Sequence, residues 1–254
     1  MVKLQMTRRR KTIIAALIIV AIAGAGFVLW AETPLGPMPE ALSALQSDSK
    51  VHVSTEHWIA FEPVGAQRSV GFIFYPGGRV DARSYAPMCR SLAEMGYLSV
   101  IVPMPLNLAV LGVEKASDVI AAYPQVQSWV IGGHSLGGTM AASYAHSHPL
   151  QIKGLALYAS YPASGDNMTG QDIYVISIYG TRDGLVTSGN IDDSRQSLPS
   201  NALWIPIEGG NHAQMGWYGS QPGDNEATIS RTSQQLQATA ATLSFLSSWG
   251  GIKS

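Results

Sequence analysis

The chain has 254 residues, 46% of them apolar and only 13% charged, with a formal net charge of −1. That length exceeds a small module and suits one α/β domain with a leader, while the apolar share argues against intrinsic disorder. With Lys3 and Arg8 to Lys11 set aside, 11 basic residues face 17 acidic ones, a net of about −6 for the remainder, which disfavours nucleic acid and anionic lipid as ligands.

Residues 1–12 form a basic amino terminus that closes on Arg8-Arg9-Arg10-Lys11, and Ile13 to Trp30 follows as 18 residues without a charge. As a helix rising 1.5 Å per residue this run spans roughly 27 Å, close to a bilayer's hydrocarbon core, so 13–30 predicts a transmembrane helix or uncleaved signal anchor. Positive charge before the run and Glu32 after it place residues 1–12 in the cytoplasm and the rest of the chain on the extracytoplasmic side. A secretory signal cleaved at Ala31 is the rival reading; the length of the run and the bulky Leu29 and Trp30 weigh against it.

Residues 31–47 read as a linker, rich in proline and glycine from Thr33 to Pro39, with a short helix over Pro39 to Ser47; residues 48–254 read as the folded domain. Val51 to Val53 and Trp58 to Pro63 predict an antiparallel pair at a sheet edge, followed by a turn at Gly65 to Arg68. From there strands are expected at Val70 to Tyr75, Leu98 to Val102, Ser128 to Gly132, Gly154 to Ala159, Ile173 to Tyr179 and Ala202 to Ile207. Helices are expected between them at Ala82 to Met95, Val113 to Ala122, Leu136 to His146 and Thr187 to Ser197, and at the end over Glu226 to Trp249. This alternation predicts right-handed crossovers, a mostly parallel sheet with helices on both faces, and ligands at the strands' carboxyl ends. Cys89, the only cysteine, falls in the apolar pattern of Tyr85 to Met95 and is expected to be packed and inert.

Val130-Ile131-Gly132-Gly133-His134-Ser135-Leu136-Gly137-Gly138 joins a buried-strand pattern to a small-residue helix through Gly-x-Ser-x-Gly. A turn that tight projects its serine from the end of a sheet, with Gly133 and Gly137 leaving the room it needs, so Ser135 is the candidate nucleophile. Ile173 to Gly180 runs into Thr181-Arg182-Asp183-Gly184, which puts a carboxylate at a strand's carboxyl end and makes Asp183 the candidate acid. Ala202 to Ile207 runs into Glu208-Gly209-Gly210-Asn211-His212, a glycine-rich loop that lets His212 swing back as the candidate base. Asp192 and Asp193 compete with Asp183 but fall inside the following helix, and Asp81 reads as a cap for the helix from Ala82. His134 is expected beneath the elbow and directed away from Ser135. On a helix His146 and His148 diverge by roughly 200°, which opposes a shared metal; His52 and His57 have no partner motif.

The order Ser135, Asp183, His212, each after its own strand, resembles the α/β-hydrolase superfamily. Tyr75-Pro76-Gly77-Gly78, Val102-Pro103-Met104-Pro105-Leu106-Asn107 and Gly209-Gly210-Asn211-His212 resemble, more narrowly, a bacterial group of small α/β-hydrolases grouped as "family 5", from about Val70 to the last helix. The resemblance implies an α/β-hydrolase fold, with an oxyanion hole made by the amides of Leu136 and Gly78, or Arg79 in place of Gly78. Only Ser160 to Asp172 stands where members of the superfamily carry a lid, so a minimal lid is expected. Tyr161, Trp217 and Tyr218 are candidates for the pocket lining, and Arg79 for attracting a substrate carboxylate.

The expected activity is hydrolysis of a small-molecule carboxylic ester or thioester through an acyl-enzyme, with no metal and no organic cofactor. Lipase, peptidase or cofactor-free perhydrolase chemistry runs on the same residues, and a membrane-anchored binding protein is the distant alternative. Every candidate catalytic group lies beyond Tyr75, so turnover is expected to survive removal of the residues before Thr33.

Overall fold

The computed structural model describes residues 8–65 and 69–249. Residues 1–7, most of the expected turn at Gly65 to Arg68, and residues 250–254 lie outside the described part. Eight strands form one sheet: β1 (Val51–Ser54), β2 (Ile59–Pro63), β3 (Val70–Tyr75), β4 (Leu98–Ile101), β5 (Ser128–His134), β6 (Ile152–Tyr158), β7 (Tyr174–Gly180) and β8 (Leu203–Ile207). Their order is β1-β2-β4-β3-β5-β6-β7-β8. β1 and β2 pair antiparallel at one edge, β2 meets β4 antiparallel, and every other neighbour is parallel.

Parallel strands joined by helical crossovers are covered on both faces, so their residues alternate between two apolar layers instead of between core and water. Phe72 and Phe74 of β3 point into one layer with Val130, Tyr158 and Ile178, against α3 (Ala86–Glu94) and α7 (Arg231–Trp249). Ile73 and Tyr75 point into the other layer with Ile131, Leu155 and Leu157, against α4 (Lys115–Ala122) and α5 (Leu136–Ser147). Cys89 is fully buried in the first layer, and burial pushes its thiol well above the ordinary range, as suits an inert packing group. The sheet's carboxyl edge is thereby rigid, and the loops that leave it carry the candidate site.

Three stretches depart from the expected pattern. The segment from Ala82 begins as a 3-10 turn (Ala82–Tyr85) before α3, with Asp81 Oδ1 accepting from the Arg83 amide as the expected cap. α6 (Ser188–Ser194) likewise ends in a 3-10 turn. The last helix starts at Arg231 instead of Glu226, because the residues before it tie down loops: the Thr228 amide donates to Gly209 O, Arg182 donates to Glu226 O, and Gln214 donates to Ile229 O. Ser160 to Asp172 forms no helix or strand; buried Met168 and its amide bond to Ser197 O hold it down against the body, so it makes no lid.

At the amino end, α1 (Arg8–Ala31) takes in Arg8 to Lys11 and leaves Leu17, Ile18, Ile19, Val20, Ile22 and Leu29 exposed. It is long and apolar enough to cross a membrane, with only Ala31 buried. The segment that follows is packed: Leu35 bridges to Val80, the Met38 amide donates to Trp217 O, and Ala41 of α2 (Pro39–Ser43) is fully buried.

Candidate active site

β5 ends at His134, and Ser135 turns the chain into α5 with φ 52° and ψ −126°. A non-glycine residue there is strained by about 1–3 kcal/mol and persists only where its surroundings over-determine it. They do so here by close approach. A Cβ on Gly133 would lie 2.6 Å from the Gly138 nitrogen, and one on Gly137 would lie 2.7 Å from the Pro76 carbonyl carbon. The Ser135 carbonyl is held by Ser160 Oγ at 2.7 Å and the Ser135 amide by Tyr158 O at 3.0 Å.

Asp183 and His212 come from the loops after β7 and β8 and meet in the interior. Asp183 Oδ2 is 2.8 Å from His212 Nδ1, with both side chains removed from solvent. Asp183 Oδ1 accepts the amides of Leu185 and Val186 at 2.8 and 2.7 Å, which leaves the other oxygen to orient the imidazole. Asp192 and Asp193 sit in α6, Asp192 paired with Arg195 on the surface. His212 Nε2 is buried and makes no hydrogen bond, so it forms none with Ser135. Such a bond commonly closes only when substrate is bound.

Several groups that hold these residues carry no signature in the sequence. Asp224 Oδ1 accepts the amides of Gly184 and His212, and Oδ2 accepts that of Ala213, so one carboxylate ties the acid loop to the base loop. Gln234 of α7, fully buried, accepts from the Asn211 amide and donates to the Asn211 carbonyl. Arg231 donates to the carbonyls of Ala213, Gly216 and Gly219.

His134 lies beneath the elbow with Nδ1 2.8 Å from the Tyr85 hydroxyl, which also accepts the Gly77 amide. Its ring centroid is 4.5 Å from that of His212. Complete burial, then the neighbouring His212, hold the His134 pKa well below the usual imidazole range, so the native state keeps it neutral. The sign of the linkage follows: below about pH 6.5 the unfolded chain binds a proton that native His134 refuses, costing up to about 1.4 kcal/mol per pH unit. Stability should fall on acidification from pH 7 toward 5. Denaturant midpoints across that range should show His134→Gln losing less than the wild type, and equal slopes would exclude His134 as the source.

On the oxyanion side, the amides of Gly77 and Arg79 are committed to the Tyr85 hydroxyl and to Asn107 O. Among the described residues the Gly78 amide between them finds no hydrogen-bond partner, and a Cβ on Gly78 would lie 3.2 Å from Leu136 Cδ2. Of the two donors weighed beside Leu136, Gly78 is therefore the free one. Arg79 does not reach toward substrate, because its guanidinium donates to Trp30 O and Thr33 O and lies 4.3 Å over the Trp30 ring.

Of the three lining candidates, Tyr218 is buried against His134 and Tyr85. Trp217 borders a small cleft between α3 and α7, and Tyr161 borders another, with Pro162, Asn190 and Asp193. His148 stacks on Tyr144 and His146 meets Gln171. Among the described residues no group of three or more His, Cys, Asp or Glu could hold a metal ion.

Residues 71–236 match the alpha/beta hydrolase family. Among solved structures, the esterase domain of a Rhodothermus marinus protein superposes with a TM-score of 0.60 at 13% identity, over 76% of this chain and 93% of that one. Esterase 2 of Thermogutta terrifontis, phosphoramylated by tabun, gives 0.59 at 15% identity over 81% and 96%. A butyrate-bound form of that esterase gives 0.59 at 14% over 81% and 95%. At these identities the likeness is one of fold. No curated protein matches the chain in sequence.

Proposed function

Because the chain belongs to the alpha/beta hydrolase family, we propose that it is a serine hydrolase of carboxylic esters or thioesters, acting through Ser135, His212 and Asp183. The observation that carries this reading is the buried 2.8 Å Asp183–His212 pair on a sheet edge that also presents Ser135 in a strained turn. His212 takes the Ser135 proton as Ser135 attacks the carbonyl carbon, and Asp183 stabilises the imidazolium. The amides of Leu136 and Gly78 receive the oxyanion, each donor worth about 3 kcal/mol in comparable sites. Collapse expels the alcohol or thiol with the proton from His212; water activated by the same imidazole then releases the acid and regenerates Ser135. The short Ser160 to Asp172 segment, which forms no helix or strand, favours small, accessible esters. The likeness to an esterase that is phosphoramylated by tabun supports testing organophosphonates. A panel of p-nitrophenyl esters of graded acyl length should be hydrolysed by the purified protein and inhibited by a fluorophosphonate; failure of both would remove the reading.

For placement, the reading is a single-pass protein anchored by α1 with residues 1–12 cytoplasmic and the hydrolase domain, within 48–254, extracytoplasmic. The support is the exposed apolar helix and its basic flank. Protease added to intact spheroplasts should digest the domain, and the full-length species should fractionate with membranes. Protection from protease would reverse the orientation, and a soluble species beginning near Glu32 would establish secretion.

A further inference from the structure

We propose that the carboxyl-terminal turn of α1 is a positioning element of the active site, its backbone carbonyls fixing the loop that offers the Gly78 amide; this rests on Gly78 being an oxyanion donor. That amide lies beside Arg79, in the left-handed region at φ 56°, and Arg79 meets Asn107 of the loop after β4, left-handed at φ 54° next to Leu106 at φ 52°. Neither Arg79 nor Asn107 is glycine, so both need their surroundings to hold them there. The two are joined directly, the Arg79 amide donating to Asn107 O at 2.8 Å.

What holds their side chains is the end of the apolar helix. Arg79 Nε donates to Trp30 O at 2.8 Å, Arg79 Nη2 to Thr33 O at 2.7 Å, and Asn107 Nδ2 to Ala31 O at 3.0 Å. Those carbonyls belong to the last turn of α1 and the residues just after it, where a helix leaves carbonyls without internal partners and its dipole is negative. A guanidinium is matched to such an end in both charge and geometry. The loop therefore caps the helix, and the helix in return fixes the loop. The chain just beyond adds a second attachment: the Leu35 amide donates to Arg79 O and Leu35 O accepts the Asp81 amide. Gly78 is thus bracketed between Tyr85 below and α1 beyond Arg79.

A chain beginning at Glu32 lacks the Trp30 and Ala31 carbonyls, so the anchored form is the fully active one. On this proposal, removing the residues before Thr33 would lower turnover, against the expectation from the sequence that it survives.

The test uses the full chain in detergent or nanodiscs. Asn107→Asp keeps the side-chain shape and removes the donor to Ala31 O. A single glycine inserted between Ala31 and Glu32 shifts the helix end without altering the loop. Each should lower kcat on a p-nitrophenyl ester about 10- to 100-fold with KM within about twofold, since one complete oxyanion donor is worth about 10²–10³. Affinity for a trifluoromethyl ketone, whose adduct with Ser135 carries the oxyanion, should fall by the same factor, which a merely structural role would not produce. Arg83→Gln, on the exposed Asp81 pair of the same loop, should leave both unchanged. Wild-type kcat and inhibitor affinity in both altered chains would overturn the clamp. If Asn107→Asp does not fold, the insertion alone decides. Failure of the oxyanion reading shows separately, as no tight trifluoromethyl ketone adduct in the wild type.

Discussion

Replacing Ser135 by alanine is expected to lower ester turnover by about 10⁶-fold and to abolish fluorophosphonate labelling, because groups that act as one unit lose nearly all their effect together. The residual rate would come from binding and from the Leu136 and Gly78 amides, which the substitution leaves in place. The fold should survive, since the change removes one hydroxyl and no core volume; the elbow is held by the Ser135 amide and carbonyl and by the close approach of Gly133 and Gly137. A second substitution at the same position separates activity from strain. Ser135→Gly should be as inactive as alanine yet more stable by about 1 kcal/mol, because glycine adopts φ 52° without penalty. Hydrolysis by the purified alanine variant at more than about a hundredth of the wild-type rate would remove Ser135 from the mechanism.

The legible part of this molecule is the part written in side-chain pattern. β3 and β5 to β7 follow largely apolar runs because strands covered on both faces must be apolar throughout, whereas β8, at the sheet edge and half exposed, is legible from Leu203 to Ile207 alone. Ser135, Asp183 and His212 are legible because each stands just after one of these strands, and the strand sets where the loop begins. Asp224 shows the opposite case. It lies in a run of Gln, Pro, Gly and Asn that reads as a solvated turn, and the groups it holds are backbone amides of Gly184, His212 and Ala213, which leave no trace in a sequence. Gln234 is hidden for the same reason, serving the Asn211 backbone from inside a helix. The contact between α1 and Arg79 was illegible because its acceptors are carbonyls nearly fifty residues away, and Arg79 in isolation reads as an exposed loop charge. The late start of α7 has the same origin: helix propensity from Glu226 onward yields to tertiary hydrogen bonds that consume its first residues.

His212→Ala is expected to cost about as much as Ser135→Ala, and the double variant no more than either, because the base has no function without the nucleophile it activates. Asp183→Asn should behave differently. The amide can still be held by the Leu185 and Val186 amides through its oxygen, but that directs its NH2 group toward His212 Nδ1. A donor in that position selects the tautomer with the proton on Nε2, where it cannot accept from Ser135, and the expected loss is about 10⁴-fold in kcat. KM should stay near the wild-type value, because neither Asp183 nor His212 Nδ1 is placed to contact the substrate. Raising the pH should recover little of the loss, since the fault is a tautomer and not a proton to be removed. Measured kcat for the three single variants and the His212/Ser135 double variant decides the assignment. Additive losses would mean that Ser135 and His212 do not act together, and a fully active Asp183→Asn would move the acid elsewhere, with Asp224 the next carboxylate to replace.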